Sequence, residues 1–108
     1  MIVREWRGRA AASKPDAYPG HFRDNVLPGL RATGGFLGAT LCRHTLPDGR
    51  IEFLVLTRWQ SPDAIRAFAG DDLSRAIVEP QGVAALTDYD RTVRHYEVVE
   101  MTESRETG

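Results

Sequence analysis

The chain has 108 residues, 14 basic and 15 acidic side chains, a formal net charge of −1 and 42% hydrophobic residues, the profile of one nearly neutral globular domain. A nucleic-acid surface is excluded because arginines and carboxylates interleave along the whole chain, and no apolar run reaches the roughly 20 residues of a membrane span. The lone Cys42 allows neither an intrachain disulfide nor a multi-cysteine zinc site.

The first residues, Met1 to Glu5, carry no secretory apolar stretch, so a cytoplasmic location is expected. Ile2, Arg4 and Trp6 alternate with Val3, Glu5 and Arg7, which predicts a strand over residues 2–11. Ser13 is the expected helix cap, followed by Pro15 and Asp16. Tyr18, Phe22, Val26 or Leu27, and Leu30 recur at helical spacing between Ala17 and Ala32. Pro19 predicts an irregular start and Pro28 a kink, because proline removes a backbone donor and crowds the preceding turn. Gly34 and Gly35 are read as the helix stop.

Residues 36–46 and 50–60 read as two strands joined at Pro47, Asp48 and Gly49, a tight turn. The second is apolar on both faces at Phe53, Leu54, Val55 and Leu56, as in a central strand covered from both sides. Ser61 and Pro62 start a second helix with Ile65 and Phe68 on its buried face. Leu73 to Val78 is expected to be a further helical piece and Pro80 to Leu86 an irregular link. Tyr89 to Glu100 is expected to be the last strand, and residues 101–108 a frayed tail after a domain spanning 1–100.

The order strand, helix, strand, strand, helix, strand is the ferredoxin-like βαββαβ pattern, an α+β fold with an antiparallel sheet. Its helices cover one sheet face. The two-sided apolar strand then calls for a second cover, most simply another copy of the chain in a homodimer.

The segments Arg4-Glu5-Trp6-Arg7, Leu27-Pro28-Gly29-Leu30-Arg31, Gly35-Phe36-Leu37-Gly38-Ala39, Leu56 to Phe68 and His95-Tyr96-Glu97-Val98 together resemble the antibiotic biosynthesis monooxygenase domains of the dimeric α+β barrel superfamily. The resemblance spans residues 2 to about 100. It implies a homodimeric barrel and a range of activities: cofactor-free oxygenases of aromatic polyketides, haem degraders, small isomerases, and members with no assigned activity. Haem-degrading relatives carry an asparagine on the first strand, a tryptophan on the second helix and a histidine about three turns on. Those places here read Trp6, Phe68 and roughly Val78, so the resemblance argues against haem degradation.

A cofactor-free oxygenase needs an electron-rich phenol or hydroquinone, a dry pocket for its ring, help in removing a proton, and a cation for the resulting anion. Trp6, Trp59, Phe22 and Phe68 are the candidate walls, and Arg4, Arg7 or Arg58 the countercharge. His95 is the leading candidate base, with His44, also a candidate substrate contact, and His21 behind it. Each has a plainer role open to it: Trp59 packing helix on sheet, the histidines hydrogen-bonded in place, the arginines paired with Glu5, Glu52 or Glu97. No metal-ligand spacing, phosphate loop or nucleophilic triad is present, so no cofactor and no metal are expected.

The expected function is therefore cofactor-independent monooxygenation of an aromatic or quinone-like small molecule. The alternatives are a non-catalytic ligand-binding or dimerisation module and a small isomerase or cyclase. Pocket volume separates the module from the enzymes, and oxygen dependence separates the enzymes from each other.

Overall fold

The computed structural model describes residues 1–105. Strand β1 (Ile2–Ala10) lies antiparallel beside β3 (Ile51–Trp59), with Ile2 opposite Trp59 and Ala10 opposite Ile51. Strand β2 (Phe36–Thr45) flanks β3 on its other side, and the β2–β3 turn closes at Gly49, whose φ of +90° suits glycine. A bulge at Leu37 places Phe36 opposite Trp59 and Gly38 opposite Arg58.

The far edge of β1 is paired by two short pieces rather than by one long last strand. Strand β4 (Asp88–Tyr89) meets Gly8 and Arg9, and β5 (Arg94–Glu97) meets Ile2 to Glu5. The expected strand over Tyr89 to Glu100 is thus shorter, because the chain leaves the β1 edge between its two pieces. There Thr92 bridges to Arg75 and Val93 N–H donates to the Ser74 carbonyl.

The helix after β1 begins at Ala17 with Asp16, not Ser13, in the capping place. Pro19 fits within the first turn, where a missing N–H costs little. Helix α1 (Ala17–His21) passes through a wide π turn at Phe22–Val26 into α2 (Leu27–Arg31). Leu27 N–H reaches back to the Phe22 carbonyl, and the widening relieves Pro28, which has no N–H to give. The helix stops at Arg31, capped by Ala32, before Gly34.

Helix α3 (Pro62–Ala69) starts as expected, with the Ser61 hydroxyl accepting from Ala64 N–H at 3.2 Å. Two assignments beyond it are corrected. Leu73 to Val78 is not helical: Leu73 and Ser74 form a turn, Arg75 bridges to Thr92, and Ala76 N–H donates to the Arg91 carbonyl. Pro80–Ala84, expected to be irregular, is a short helix α4 with Pro80 in its first turn. Residues 101–105 form no helix or strand, and the rest of the expected tail, 106–108, lies outside the described residues.

All helices pack on one sheet face, so the fold is the ferredoxin-like α+β arrangement. The alternation in β1 buries Arg4, Trp6, Gly8 and Ala10 towards the helices, and β3 buries Phe53, Val55, Thr57 and Trp59 on that side. Trp59, Phe53, Leu30 and Ile65 are the largest fully buried side chains, each contributing roughly 1.5–3 kcal/mol of hydrophobic stabilisation. On the opposite face Val3, Leu54 and Leu56 are half-buried and Tyr96 is exposed.

Candidate functional site

Two rows of side chains cross the helix-covered face. In one, Thr57 of β3, Arg4 of β1 and His95 of β5 stand opposite one another on adjacent strands; in the next, Val55 stands opposite Trp6. Arg4, Trp6, Val55 and Thr57 form the floor of a cavity of about 120 Å³. Tyr18, His21 and Phe22 roof it, and Phe68 and Val78 close its sides. Exposed Asn25, Gly29, Ile77 and Glu79 mark its mouth. An engineered apolar cavity of about 150 Å³ admits benzene, so this slightly smaller space has room for no more than about one ring.

Arg4 is 5% exposed, yet no carboxylate among the described residues comes within ion-pair distance of it. Its Nη1 donates to the Leu73 carbonyl at 2.7 Å and meets His95 Nε2 at 3.0 Å, and its Nη2 donates to the Arg75 carbonyl at 2.8 Å. The Nε–H and the second Nη2–H have no acceptor among the described residues. Burial pulls the guanidinium down to about 10, which leaves it a cation at neutral pH. The turn at Leu73 and Ser74, closed by Arg75 N–H donating to the Asp72 carbonyl at 3.3 Å, is what brings the two carbonyls to it.

His95 does not reach the cavity wall. Its Nε2 accepts from Arg4, so the ring is neutral with its proton on Nδ1, and burial followed by the Arg4 charge lowers its affinity for a further proton.

The wall holds three more polar groups. His21 is 8% exposed, and its Nδ1 lies 3.1 Å from Asn25 Nδ2. The Tyr18 hydroxyl has no hydrogen-bond partner among the described residues, and burial raises the phenol so that it stays protonated as a donor. The Thr57 hydroxyl accepts from Trp59 Nε1 at 2.8 Å, leaving its own proton free.

Of the aromatic candidates, Trp6, Phe22 and Phe68 line the cavity. Trp6 is held by Nε1–H donating to the Asp90 carbonyl at 2.7 Å and by Tyr18, 5.7 Å away between ring centroids. Gly8 makes room for it: a Cβ there would sit 2.7 Å from the far edge of the Trp6 ring. Trp59 is not in the wall. It is fully buried between Phe36 and Phe68, at centroid distances of 5.4 and 5.6 Å, and acts on the cavity only through Thr57.

His44 is exposed on the other sheet face, paired with Glu52 at 2.9 Å, away from the cavity. Arg7 lies there too, bound to Glu5, and Arg58 lies over Gly38 with its Nε buried and lacking an acceptor among the described residues. The three places compared with haem-degrading relatives, Trp6, Phe68 and Val78, all line the cavity.

In the sequence reading His21 stands behind His95 as a candidate base, and Tyr18 and Thr57 carry no site role. His21 is dry because α4 covers it, with Gly82 so close that a Cβ would stand 3.1 Å from Nε2. Pro80 to Leu86 reads as an irregular link in the sequence, so this cover is not legible there. Thr57 was findable, since aligning β1 with β3 sets it opposite Arg4.

The sequence pattern of the antibiotic biosynthesis monooxygenase family matches residues 1–80. No curated protein matches the chain by sequence. Among solved structures, a Bacillus cereus protein assigned to the antibiotic biosynthesis monooxygenases is similar at 14% identity and a TM-score of 0.68, covering 98% of each chain. The haem degrader MhuD from Mycobacterium tuberculosis matches at 20% identity and a TM-score of 0.64, over 95% of this chain and all of its own. SnoaB, a cofactor-independent oxygenase from Streptomyces nogalater, matches at 18% identity and a TM-score of 0.54, over 97% and 96%. At these identities the structures establish the shared fold, while the sequence pattern covers most of the chain. The protein belongs to the antibiotic biosynthesis monooxygenase family.

Proposed function

We propose that the protein is a cofactor-independent monooxygenase of a small aromatic or quinone-like molecule. The observation that carries this reading is a cavity of about 120 Å³, walled by Trp6, Tyr18, Phe22 and Phe68, with the uncompensated cation of Arg4 in its floor. The rings hold a planar substrate and exclude water, and Arg4 stabilises the anion formed when a phenol loses its proton. His21, in the wall, takes the place first given to His95 as proton acceptor once its Nδ1 gives up the hydrogen bond from Asn25 at the mouth, and His95 acts through Arg4. The anion supplies the electrons. One oxygen atom of dioxygen becomes bonded to a ring carbon and the other leaves as water, so a phenol and one dioxygen give a quinone and one water.

Haem chemistry finds less support, because a space for one ring does not accommodate a porphyrin and Val78 stands where the resemblance calls for a histidine. A module with a solidly packed core is disfavoured by the same cavity. The half-buried apolar row of Val3, Leu54 and Leu56, with exposed Tyr96, supports a homodimer formed through the uncovered sheet face. Light scattering at micromolar concentration is expected to give twice the monomer mass, and a monomer overturns it.

The test of the reaction is protein-dependent oxygen uptake with a set of small phenols and hydroquinones. Uptake equal to quinone formed, abolished in Arg4→Gln, is expected. Turnover that proceeds unchanged without oxygen identifies an isomerase or cyclase instead, and binding without turnover identifies a ligand-binding module.

A further inference from the structure

We infer that the cavity selects a monoanionic, single-ring ligand, a phenolate or an arene carboxylate, seats its charge on Arg4, and discriminates against the neutral form of the same shape. This rests on the cavity being the ligand site of the proposed reaction, but not on any step with dioxygen.

A buried cation without a counterion is costly, and natural interiors pair such groups. Arg4 is held by neutral partners only: two carbonyls and the lone pair of His95. These fix the guanidinium and leave two of its N–H donors for an acceptor in the cavity. The free Thr57 hydroxyl proton in the floor and the Tyr18 hydroxyl in the roof add two donors, so the wall offers hydrogens to an oxyanion. A neutral ligand of equal size leaves the Arg4 charge uncompensated.

The titratable groups facing the cavity are Arg4, Tyr18, His21 and Glu79, with His95 behind Arg4. Glu79 is the one carboxylate among them, and it is exposed at the mouth. Its charge opposes a second negative charge on the part of a ligand left outside, which limits the preference to monoanions. The volume sets the other limit, because a second fused ring has to project past Ile77 and Glu79.

The test is anaerobic titration calorimetry with two isosteric pairs, benzoate against benzamide and 4-nitrophenol against 4-nitroaniline. Each anion is expected to bind roughly ten- to a hundredfold tighter than its neutral partner, as for hydrogen bonds to a charged group. Bound 4-nitrophenol is expected to show phenolate absorption at a pH where the free compound is mostly protonated. Arg4→Gln is expected to erase the discrimination and Glu79→Gln to strengthen anion binding about two- to threefold. Equal affinity within the pairs, or no binding of any of the four, overturns the inference. Should Arg4→Gln not fold, the pairs on the unaltered protein decide alone. Benzoate binding without nitrophenolate binding upholds the anion site while removing the phenol oxygenase reading. Selective nitrophenolate binding without oxygen uptake from any phenol upholds the site and rejects the reaction.

Discussion

Nη1 of Arg4 stands 3.0 Å from Nε2 of His95, between residues directly paired on β1 and β5. Only a neutral imidazole can accept from a guanidinium, so the contact and the local burial both hold His95 below the ordinary histidine range. The unfolded chain therefore takes up this proton first as the pH falls. Stability from His95 is full above the ordinary histidine range and declines as pH drops through it towards the lower folded value.

Urea midpoints are expected to fall between about pH 7.5 and about pH 5.5. In His95→Gln, whose amide oxygen can still accept from Arg4 but does not titrate, the decline over that interval is expected to be smaller. Glu52, Asp48 and Asp72, held low by their partners, contribute in the same direction at more acidic pH and are common to both proteins. Equal slopes in the two proteins would refute the assignment.

The Trp6 ring occupies space that only a glycine at position 8 leaves open. Gly8→Ala puts a methyl 2.7 Å from the ring edge and 3.1 Å from Leu86, so Trp6 must tilt towards Tyr18 or into the cavity. Overpacking of this kind costs about 1–3 kcal/mol. The expected result is a lower thermal midpoint together with weaker binding of any ring-shaped probe. Loss of stability with unchanged probe affinity would show that Trp6 does not shape the cavity.

Much of this was legible in the sequence where a local rule and the fold agree. The alternation of β1, the two-sided apolar run of β3, the Asp48-Gly49 turn and the Ser61 cap each have their own short-range chemistry. The stretch from Gly70 to Tyr89 departs from its local sequence pattern because its conformation is set from a distance. Arg4 and Thr92 hold residues 73–75 in a turn and bridge, against the apolar spacing of 73–78, and α4 is a five-residue helix with no side-chain cap bond. The candidate site divides the same way. Alternation alone puts Arg4 and Trp6 on one face, but the dryness of His21 and the withdrawal of His95 behind Arg4 depend on contacts across the chain.

Thr57 and Trp59 form a buried polar pair beneath the cavity, with the indole N–H as donor at 2.8 Å. Thr57→Val keeps the shape and removes the acceptor, leaving the N–H of a fully buried tryptophan unpaired. That costs about 1–3 kcal/mol, and each kcal/mol lowers the thermal midpoint by roughly 4–8 °C in a domain of this size. The variant also removes one hydroxyl donor from the floor, so affinity for an anionic probe is expected to fall modestly. An unchanged midpoint would mean that the indole finds another acceptor.

Gly35 and Gly49 share a left-handed backbone, at φ of +85° and +90°, but only Gly35 is crowded. A Cβ at position 35 would stand 2.5 Å from the Ala64 methyl on α3, whereas one at position 49 meets open space. Alanine at either site takes on the left-handed strain of about 1–2 kcal/mol. At position 35 it also separates α3 from the loop whose Gly35 carbonyl accepts from Gln60 N–H at 2.9 Å, adding about 1–3 kcal/mol of overpacking. Denaturant midpoints of the two variants are therefore expected to differ, with Gly35→Ala the less stable. Their difference measures the helix contact alone, since the backbone term is common to both. Equal midpoints would show that α3 moves away from the sheet without cost.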